Sequence, residues 1–192
     1  ISVYLIPTAF ASMLITIVLD SRLALWMTFL ITFNVGFILS GEMNYLVTSL
    51  AGGLVSVFCI RKATQRSSLT RAGLLIAGIN IFSAMVLGLV HRNSVDSILK
   101  NATWGMLNGF TSAILTIGIL PFLESFFDIT SYFKLMELSN PNQPLLKQLL
   151  VEAPGTYHHS VVVGNLAEAA ADEIEANSLL ARVGAYYHDI GK

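Results

Sequence analysis

The sequence predicts an all-α protein in which a polytopic bundle of transmembrane helices is followed by the first helices of a second helical domain. Hydrophobic residues make up 54% of the 192 residues and charged residues only 12%, against roughly 45–50% and 25% in an ordinary soluble domain. Five long apolar stretches precede the last third of the chain, which shows helical periodicity and no β-type alternation. Such a composition excludes a disordered chain, and a single cysteine, Cys59, excludes a disulfide scaffold.

The charged residues divide the chain into two parts near residue 123. Residues 1–123 contain seven Lys or Arg and three Asp or Glu, a net charge of +4. Residues 124–192 contain four and nine, a net charge of −5. We therefore expect a transmembrane region over 1–123 and a domain in water after it.

Five stretches are close to the length that crosses a membrane, because a bilayer core about 30 Å thick requires about 20 mostly apolar helical residues. Asp20 and Arg22 separate the first two stretches, and one helix through both would place these charges near mid-membrane. A tight hairpin is expected there instead. The predicted spans are 1–19, 23–39, 44–60, 73–90 and 102–123.

Basic residues in the short loops predict the orientation of the spans. The loop between the third and fourth spans is the most basic, and cytoplasmic loops carry an excess of Lys and Arg. We therefore expect this loop, and the chain after the fifth span, to be cytoplasmic. The basic residues of the loop are Arg61, Lys62, Arg66 and Arg71.

Small and polar residues inside the spans predict where the helices touch. An intramembrane ligand site or ion pathway is disfavoured, because no Asp, Glu, Lys or Arg lies in mid-span. We expect an anchor and leave a sensing role open. The residues predicted at helix contacts are Gly52, Gly53, Gly73, Gly78, Gly105, Gly109, Asn34, Asn80 and Asn108.

A connector helix is predicted over residues 124–138. Its apolar residues recur at steps of four and three from Phe122 through Phe126, Ile129 and Phe133 to Met136, which is the a/d stripe of a helix that continues out of the membrane. A stripe of two heptads is short. It favours packing on the following domain or on the bilayer surface over the transmission of movement.

Three helices are predicted in the last part of the chain, which begins near residue 139. They cover 143–152, 156–176 and 178–189, with Pro144 in the first turn of the first helix. Thr156 and either Asn177 or Ser178 are the expected N-caps of the other two, and Lys192 is expected at the end of the last. The apolar stripe predicted for the middle helix is formed by Val162, Val163, Leu166, Ala169 and Ala170.

Three of these residues form a candidate metal site, namely His159, His188 and Asp189. Imidazole and carboxylate groups suit a borderline divalent cation. If the last two helices are antiparallel, their rise of 1.5 Å per residue leaves the Cα atoms of His159 and His188 about 12 Å apart. This spacing permits a shared site without requiring one. His158 points about 100° away on the same helix and is interpreted as a surface or supporting residue.

Three sequence blocks around these residues resemble a known family. They are APGTYHHS at 153–160, NLAEAA at 165–170 and LARVGAYYHDIGK at 180–192. Together with the apolar region before them, they resemble the HD-superfamily phosphohydrolase domain of the seven-transmembrane HD family. The resemblance covers nearly the whole chain and implies an all-α HD-type domain at 139–192. In that family, a cytoplasmic domain hydrolyses the second messenger cyclic di-AMP.

The resemblance also implies the roles of the site residues. It makes His159 the first metal-ligating histidine, His188 the second, and Asp189 the catalytic carboxylate that bridges two metals. The implied cofactors are two divalent ions, manganese or iron. Further ligands would follow residue 192, so the chain is expected to be an internal fragment that is inactive alone.

The expected protein is thus a multi-pass enzyme of the bacterial inner membrane whose substrate is a cytoplasmic cyclic dinucleotide. The lipid bilayer is its other partner, and a homo-oligomer is left open. A nucleic acid polymer is not expected, because the C-terminal part is acidic. One alternative is a membrane receptor or scaffold whose HD domain binds a nucleotide without cutting it. A transporter is disfavoured by the missing intramembrane charges.

Overall fold

The computed structural model describes residues 3–61, 63, 65 and 67–191, and its regular elements are all helical, which confirms the all-α class. The basic residues Lys62 and Arg66 lie outside the described residues. The chain forms two compact units, Ile1–Ile129 and Thr130–Lys192. After a short 3₁₀ helix at Val3–Leu5, the described helices are α1 (Thr8–Val18), α2 (Ser21–Ile38), α3 (Met43–Arg61), α4 (Ser67–Val90), α5 (Val95–Phe126), α6 (Tyr132–Leu138), α7 (Pro144–Glu152), α8 (Pro154–Glu173) and α9 (Ser178–Tyr187).

Four helices of the first unit, α2 to α5, are long and apolar enough to cross a membrane. They coincide with the second to fifth predicted spans. The first predicted span, 1–19, contains α1, which has 11 residues and is therefore about 16 Å long. This is about half the thickness of a bilayer core.

A tight hairpin joins α1 to α2, as predicted. Only Leu19 and Asp20 lie between the two helices. Asp20 is the N-cap of α2, and its carboxylate accepts a hydrogen bond from the Arg22 backbone N–H at 3.1 Å. This bond satisfies one of the free donors at the start of a helix.

Glycine residues allow α4 and α5 to approach closely. A Cβ atom at Gly73 would lie 2.6 Å from the Ala113 Cβ, and one at Gly109 would overlap the backbone of Ala77. Gly73 and Gly109 therefore mark helix contacts as predicted. Gly78 does not, because a Cβ there would meet open space.

Two of the three predicted intramembrane asparagines lie between helices. Asn80 is 3% exposed and Asn108 is 5% exposed. Asn34 was expected at a contact too, but it lies on the surface and donates to the Leu30 carbonyl of its own helix at 2.7 Å. An asparagine can satisfy its donors within its own helix, so its presence in a span does not by itself identify a contact.

The predicted connector helix at 124–138 is interrupted. Residues 127–131 separate α5 from α6. Asp128 has a φ of 51°, a left-handed conformation that Asp tolerates better than most residues. The Ile129 N–H then donates to the Glu124 carbonyl at 3.1 Å, which closes the C-terminus of α5. A single helix over this segment is therefore wrong.

The apolar stripe of the predicted connector is divided by this break into an exposed part on α5 and a buried part on α6. Ser131 caps α6 by accepting a hydrogen bond from the Lys134 N–H at 3.3 Å. After this cap, Phe133 is buried, and Met136 packs against the buried cluster of Leu135, Leu179 and Val183. Before the break, Phe122 and Phe126 are exposed on α5. The part of the stripe on α6 thus packs on the second unit, one of the two arrangements favoured by its short length.

In the second unit, α6 packs against α9. Leu135 of α6 is buried with Leu179 and Val183 of α9. The Tyr187 hydroxyl donates to the Leu138 carbonyl at 2.9 Å. Burial raises the pKa of the Tyr187 phenol above its ordinary value, because the charged form would lose its hydration.

A short turn connects α8 to α9. Glu175 has a φ of 53°, and the Ala176 N–H donates to the Ala171 carbonyl at 2.8 Å in the pattern that ends many helices. The Asn177 side chain accepts a hydrogen bond from the Leu180 N–H at 3.0 Å. This confirms Asn177 as the N-cap of α9.

Helices α8 and α9 pack closely as an antiparallel pair. A Cβ atom at Gly164 would lie 2.5 Å from Cε1 of Tyr186. Further along α8, Glu168 accepts hydrogen bonds from Arg182 Nη1 at 2.9 and 3.0 Å. Later residues of α8 thus meet earlier residues of α9, which confirms the antiparallel arrangement.

Two details of the predicted α8 are wrong. The helix begins at Pro154, before the expected cap Thr156, and no side chain caps it. Most of the predicted apolar stripe faces outward in the described structure, with Val162 54% and Leu166 67% exposed and only Val163 half-buried. The buried face is instead formed by small residues, including Ser160 and Gly164, because only small residues allow α9 to approach this closely.

We predict that Gly109→Ala destabilises the membrane unit, because the added methyl group would overlap the backbone of α4. Overpacking of this kind costs about 1–3 kcal/mol. Thermal unfolding in detergent, followed by thiol labelling of Cys59, should show a lower midpoint. Gly118→Ala on the same helix is the control, since a Cβ there meets open space. An equal midpoint for the two variants would contradict the prediction.

Candidate metal centre

The three predicted ligands lie on the two helices of the α8–α9 pair. His159 is in the second turn of α8, His188 is the C-cap residue of α9, and Asp189 lies in the following turn. His188 and Asp189 were expected inside the last helix, which ends earlier, at Tyr187. The antiparallel packing brings the start of α8 next to the end of α9.

The side chains of these residues converge. One ligand atom from each of His159, His188 and Asp189 can be chosen so that all three lie within 4.8 Å of one another. The two imidazole ring centroids are 5.6 Å apart, and the ring planes are inclined by 50°. The described structure thus brings together all three predicted ligands in the spacing of a candidate metal site.

A backbone carbonyl orients the His188 ring. Its Nδ1 lies 2.7 Å from the Ala185 carbonyl oxygen. Because a carbonyl only accepts hydrogen bonds, Nδ1 is the nitrogen that donates, and in the neutral ring Nε2 carries the lone pair. A bond of this kind fixes the tautomer of many metal-ligating histidines.

The Asp189 carboxylate lies beside that lone pair. His188 Nε2 and Asp189 Oδ1 are 3.4 Å apart. With a neutral imidazole, both atoms are acceptors, and a cation contacted by both would offset their repulsion. The Asp189 side chain is 13% exposed and that of His188 is 39% exposed, so the site is reachable from solvent while its carboxylate is largely shielded.

The donor set therefore fits a divalent transition metal. Two imidazoles and one carboxylate suit manganese, iron or zinc better than calcium or magnesium, which prefer oxygen ligands. His158 is exposed and lies outside the cluster. Lys192 lies outside the described residues.

Glu168 of α8 forms an ion pair with Arg182 of α9 at 2.9 Å. Sequence reasoning missed this pair and the Gly164–Tyr186 contact. The only signal was the antiparallel packing considered for the last two helices, since such packing places residues of the two helices side by side.

The comparisons with known proteins agree with this architecture. Residues 1–131 match the family described as "7TM receptor with intracellular HD hydrolase", and residues 156–192 match the HD domain. The cyclic-di-AMP phosphodiesterase PgpH of Bacillus subtilis is 42% identical over 98% of this chain. The protein of the same name from Listeria monocytogenes is 40% identical over 98% of this chain. The uncharacterized protein slr0104 of Synechocystis is 37% identical over 78%.

The aligned region is a minor part of each relative. It covers 28% of the Bacillus protein, 27% of the Listeria protein and 19% of the Synechocystis protein. No solved structure matches this chain. The family match extends over more than half of the chain and includes its apolar helices. These two observations identify the chain as part of a membrane protein. The chain belongs to the family of seven-transmembrane receptors with an intracellular HD hydrolase domain.

Proposed function

We propose that this chain is part of a metal-dependent phosphodiesterase that hydrolyses a cyclic dinucleotide, cyclic di-AMP, at the cytoplasmic face of the inner membrane. The observation that carries the proposal is the convergence of His159, His188 and Asp189 within 4.8 Å. The names of the Bacillus and Listeria relatives support the substrate. The two imidazoles and the carboxylate support a divalent-metal site, and we propose two ions there, manganese or iron, because the family resemblance implies them.

The residues of the site have distinct tasks in this mechanism. When bound, the divalent ions supply Lewis acidity toward the phosphodiester and toward the attacking water. His159 and His188 contribute neutral nitrogen ligands, and the Ala185 carbonyl holds the His188 ring in the required tautomer. Asp189 contributes negative charge next to His188 Nε2, and we propose that it would hold the ions together with the two histidines.

The cytoplasmic location is supported by the basic loop between α3 and α4. Arg61 is the last residue of α3, whereas Arg71, expected in the loop, lies in the second turn of α4; the sequence adds Lys62 and Arg66 between the two helices. Two successive spans, α4 and α5, return the chain to the side of this loop. This conclusion does not depend on whether α1 crosses the bilayer, so the five-span topology over 1–123 remains a separate part of the proposal.

A receptor or scaffold that binds the nucleotide without cutting it is the alternative. Both functions require a nucleotide site, but only the hydrolase turns the nucleotide over. Turnover by the wild-type protein that is lost in a metal-ligand variant therefore distinguishes the hydrolase from the receptor.

We predict that Asp189→Ala lowers cyclic di-AMP hydrolysis by the full-length protein more than about 100-fold, because loss of a ligand should exceed the 10–100-fold cost of losing a supporting residue. Formation of the linear dinucleotide in the presence of Mn²⁺ is the measurement. His158→Ala is the matched control, since its exposed side chain neighbours His159 without joining the cluster. Activity that survives Asp189→Ala would refute the catalytic assignment. Binding without turnover by the wild-type protein would favour the receptor.

We also predict that Gly164→Ala weakens Mn²⁺ binding about 10-fold, a change comparable to the loss of a residue that supports metal ligands. The added methyl group would press on Tyr186, two residues before His188, and would separate the helices that carry the ligands. Isothermal titration with Mn²⁺ measures the affinity. Gly184→Ala on α9 serves as the control, because a Cβ there meets open space. If both variants bind Mn²⁺ as the wild type does, the contact does not set the ligand spacing.

A further inference from the structure

A small polar cavity lies inside the membrane unit, among α1, α3, α4 and α5. Its volume is about 10 Å³, close to the smallest cavity that holds one water molecule. It is remote in the sequence from the candidate metal centre, and the proposed hydrolase mechanism does not use it. Its polar lining includes Tyr45, Thr48, Ser49, Asn80 and Asn108.

Three buried polar atoms of residues that line this cavity have no hydrogen-bond partner among the described residues. They are the Tyr45 hydroxyl, Oγ1 of Thr48 and Oδ1 of Asn80, and their residues are 1%, 4% and 3% exposed. Thr48 and Asn80 are the two that lie on neighbouring helices, α3 and α4. An unpartnered buried polar group costs about 1–3 kcal/mol. Lipid cannot supply the missing hydrogen bonds, so a partner must come from within the bundle.

The orientation of Asn80 follows from its other contacts. Its Nδ2 donates to the Gly105 carbonyl of α5 at 3.3 Å, which leaves Oδ1 to face α3. A Cβ atom at Gly52 of α3 would lie 2.7 Å from this oxygen. Gly52 therefore makes room for the oxygen, and Thr48 lies one turn earlier on the same side of α3.

The size and chemistry of the cavity select its occupant. No charged residue lines it within the described part of the chain, so a cation would be held there without a compensating charge, which is costly in an apolar bundle. An amide oxygen requires a donor, whereas a hydroxyl accepts or donates. A water molecule meets both requirements and fits the volume.

We propose that one water molecule binds between Thr48 and Asn80. It donates a hydrogen bond to Asn80 Oδ1 and bonds with Thr48 Oγ1, and it thereby links α3 to α4. Asn80 extends this link to α5 through Gly105. In the same region, Asn108 of α5 donates to the Tyr4 and Ile6 carbonyls at 2.9 and 2.8 Å. The water thus adds a polar link between α3 and α4 to the direct link that Asn80 and Gly105 make between α4 and α5.

The substitution Thr48→Val tests this proposal, because valine keeps the shape of threonine and removes the hydroxyl. If the water is bound, the variant leaves it short of a partner, and the thermal midpoint of the membrane unit falls by about 2–4 °C, the shift that about 1 kcal/mol causes in a cooperative unit of roughly 150 residues. Temperature-dependent thiol labelling of Cys59 in the full-length protein in detergent measures the midpoint.

Thr32→Val is the matched control. Thr32 is fully buried in α2, and its hydroxyl also lacks a partner among the described residues, but it does not line this cavity. Removing an unpartnered hydroxyl is neutral or stabilising, so this midpoint should stay or rise. A rise for Thr48→Val as well would mean that its hydroxyl has no bound partner, and would overturn the proposal.

Two further measurements cover the remaining outcomes. If Thr48→Val does not fold, Thr48→Ser decides: folding of this variant identifies the hydroxyl as the required group, and failure overturns the proposal. The wild-type midpoint should be equal in sodium, potassium and choline chloride. A rise specific to sodium or potassium would identify a cation as the occupant and would overturn the assignment of water.

Discussion

The close approach of α8 and α9 is the contact on which the candidate metal centre depends. Gly164 leaves no side chain between α8 and the Tyr186 ring, and the Arg182–Glu168 ion pair joins the helices further along. His159 and the His188–Asp189 pair lie on opposite arms of this hairpin. Their ligand atoms therefore converge only if the arms remain at this spacing.

The membrane unit follows a different constraint, which is that lipid offers no hydrogen-bonding partners. The Thr28 and Thr116 hydroxyls donate hydrogen bonds to carbonyls one turn earlier in their own helices, at 2.6 and 2.8 Å. Asn80 and Asn108 instead use the carbonyls of other segments. Small residues then allow the helices to touch where no polar group intervenes.

The junction between the two units is controlled by local backbone chemistry. An apolar stripe at helical spacing predicted one helix from α5 onward. Asp128 in a left-handed conformation and the Ser131 cap end one helix and begin another within a few residues. Apolar spacing says which side chains would share a face, but a cap and a left-handed residue decide whether the backbone continues.

Composition and local pattern alone determined the all-α class, α2 to α5 as four of the five predicted spans, a cap for α9 at either Asn177 or Ser178, and the three residues of the candidate site. These features depend on hydropathy, helical period and residue type, which are properties of neighbouring residues in the chain. Tertiary structure decided which face of α8 is buried, so that Val162 and Leu166 are exposed while Gly164 meets Tyr186. Tertiary structure also decided which of the predicted glycines lie at helix contacts: Gly109 touches α4, whereas Gly78 faces open space. A helix buries the face that its partner approaches, and that partner is selected by the packing of distant segments.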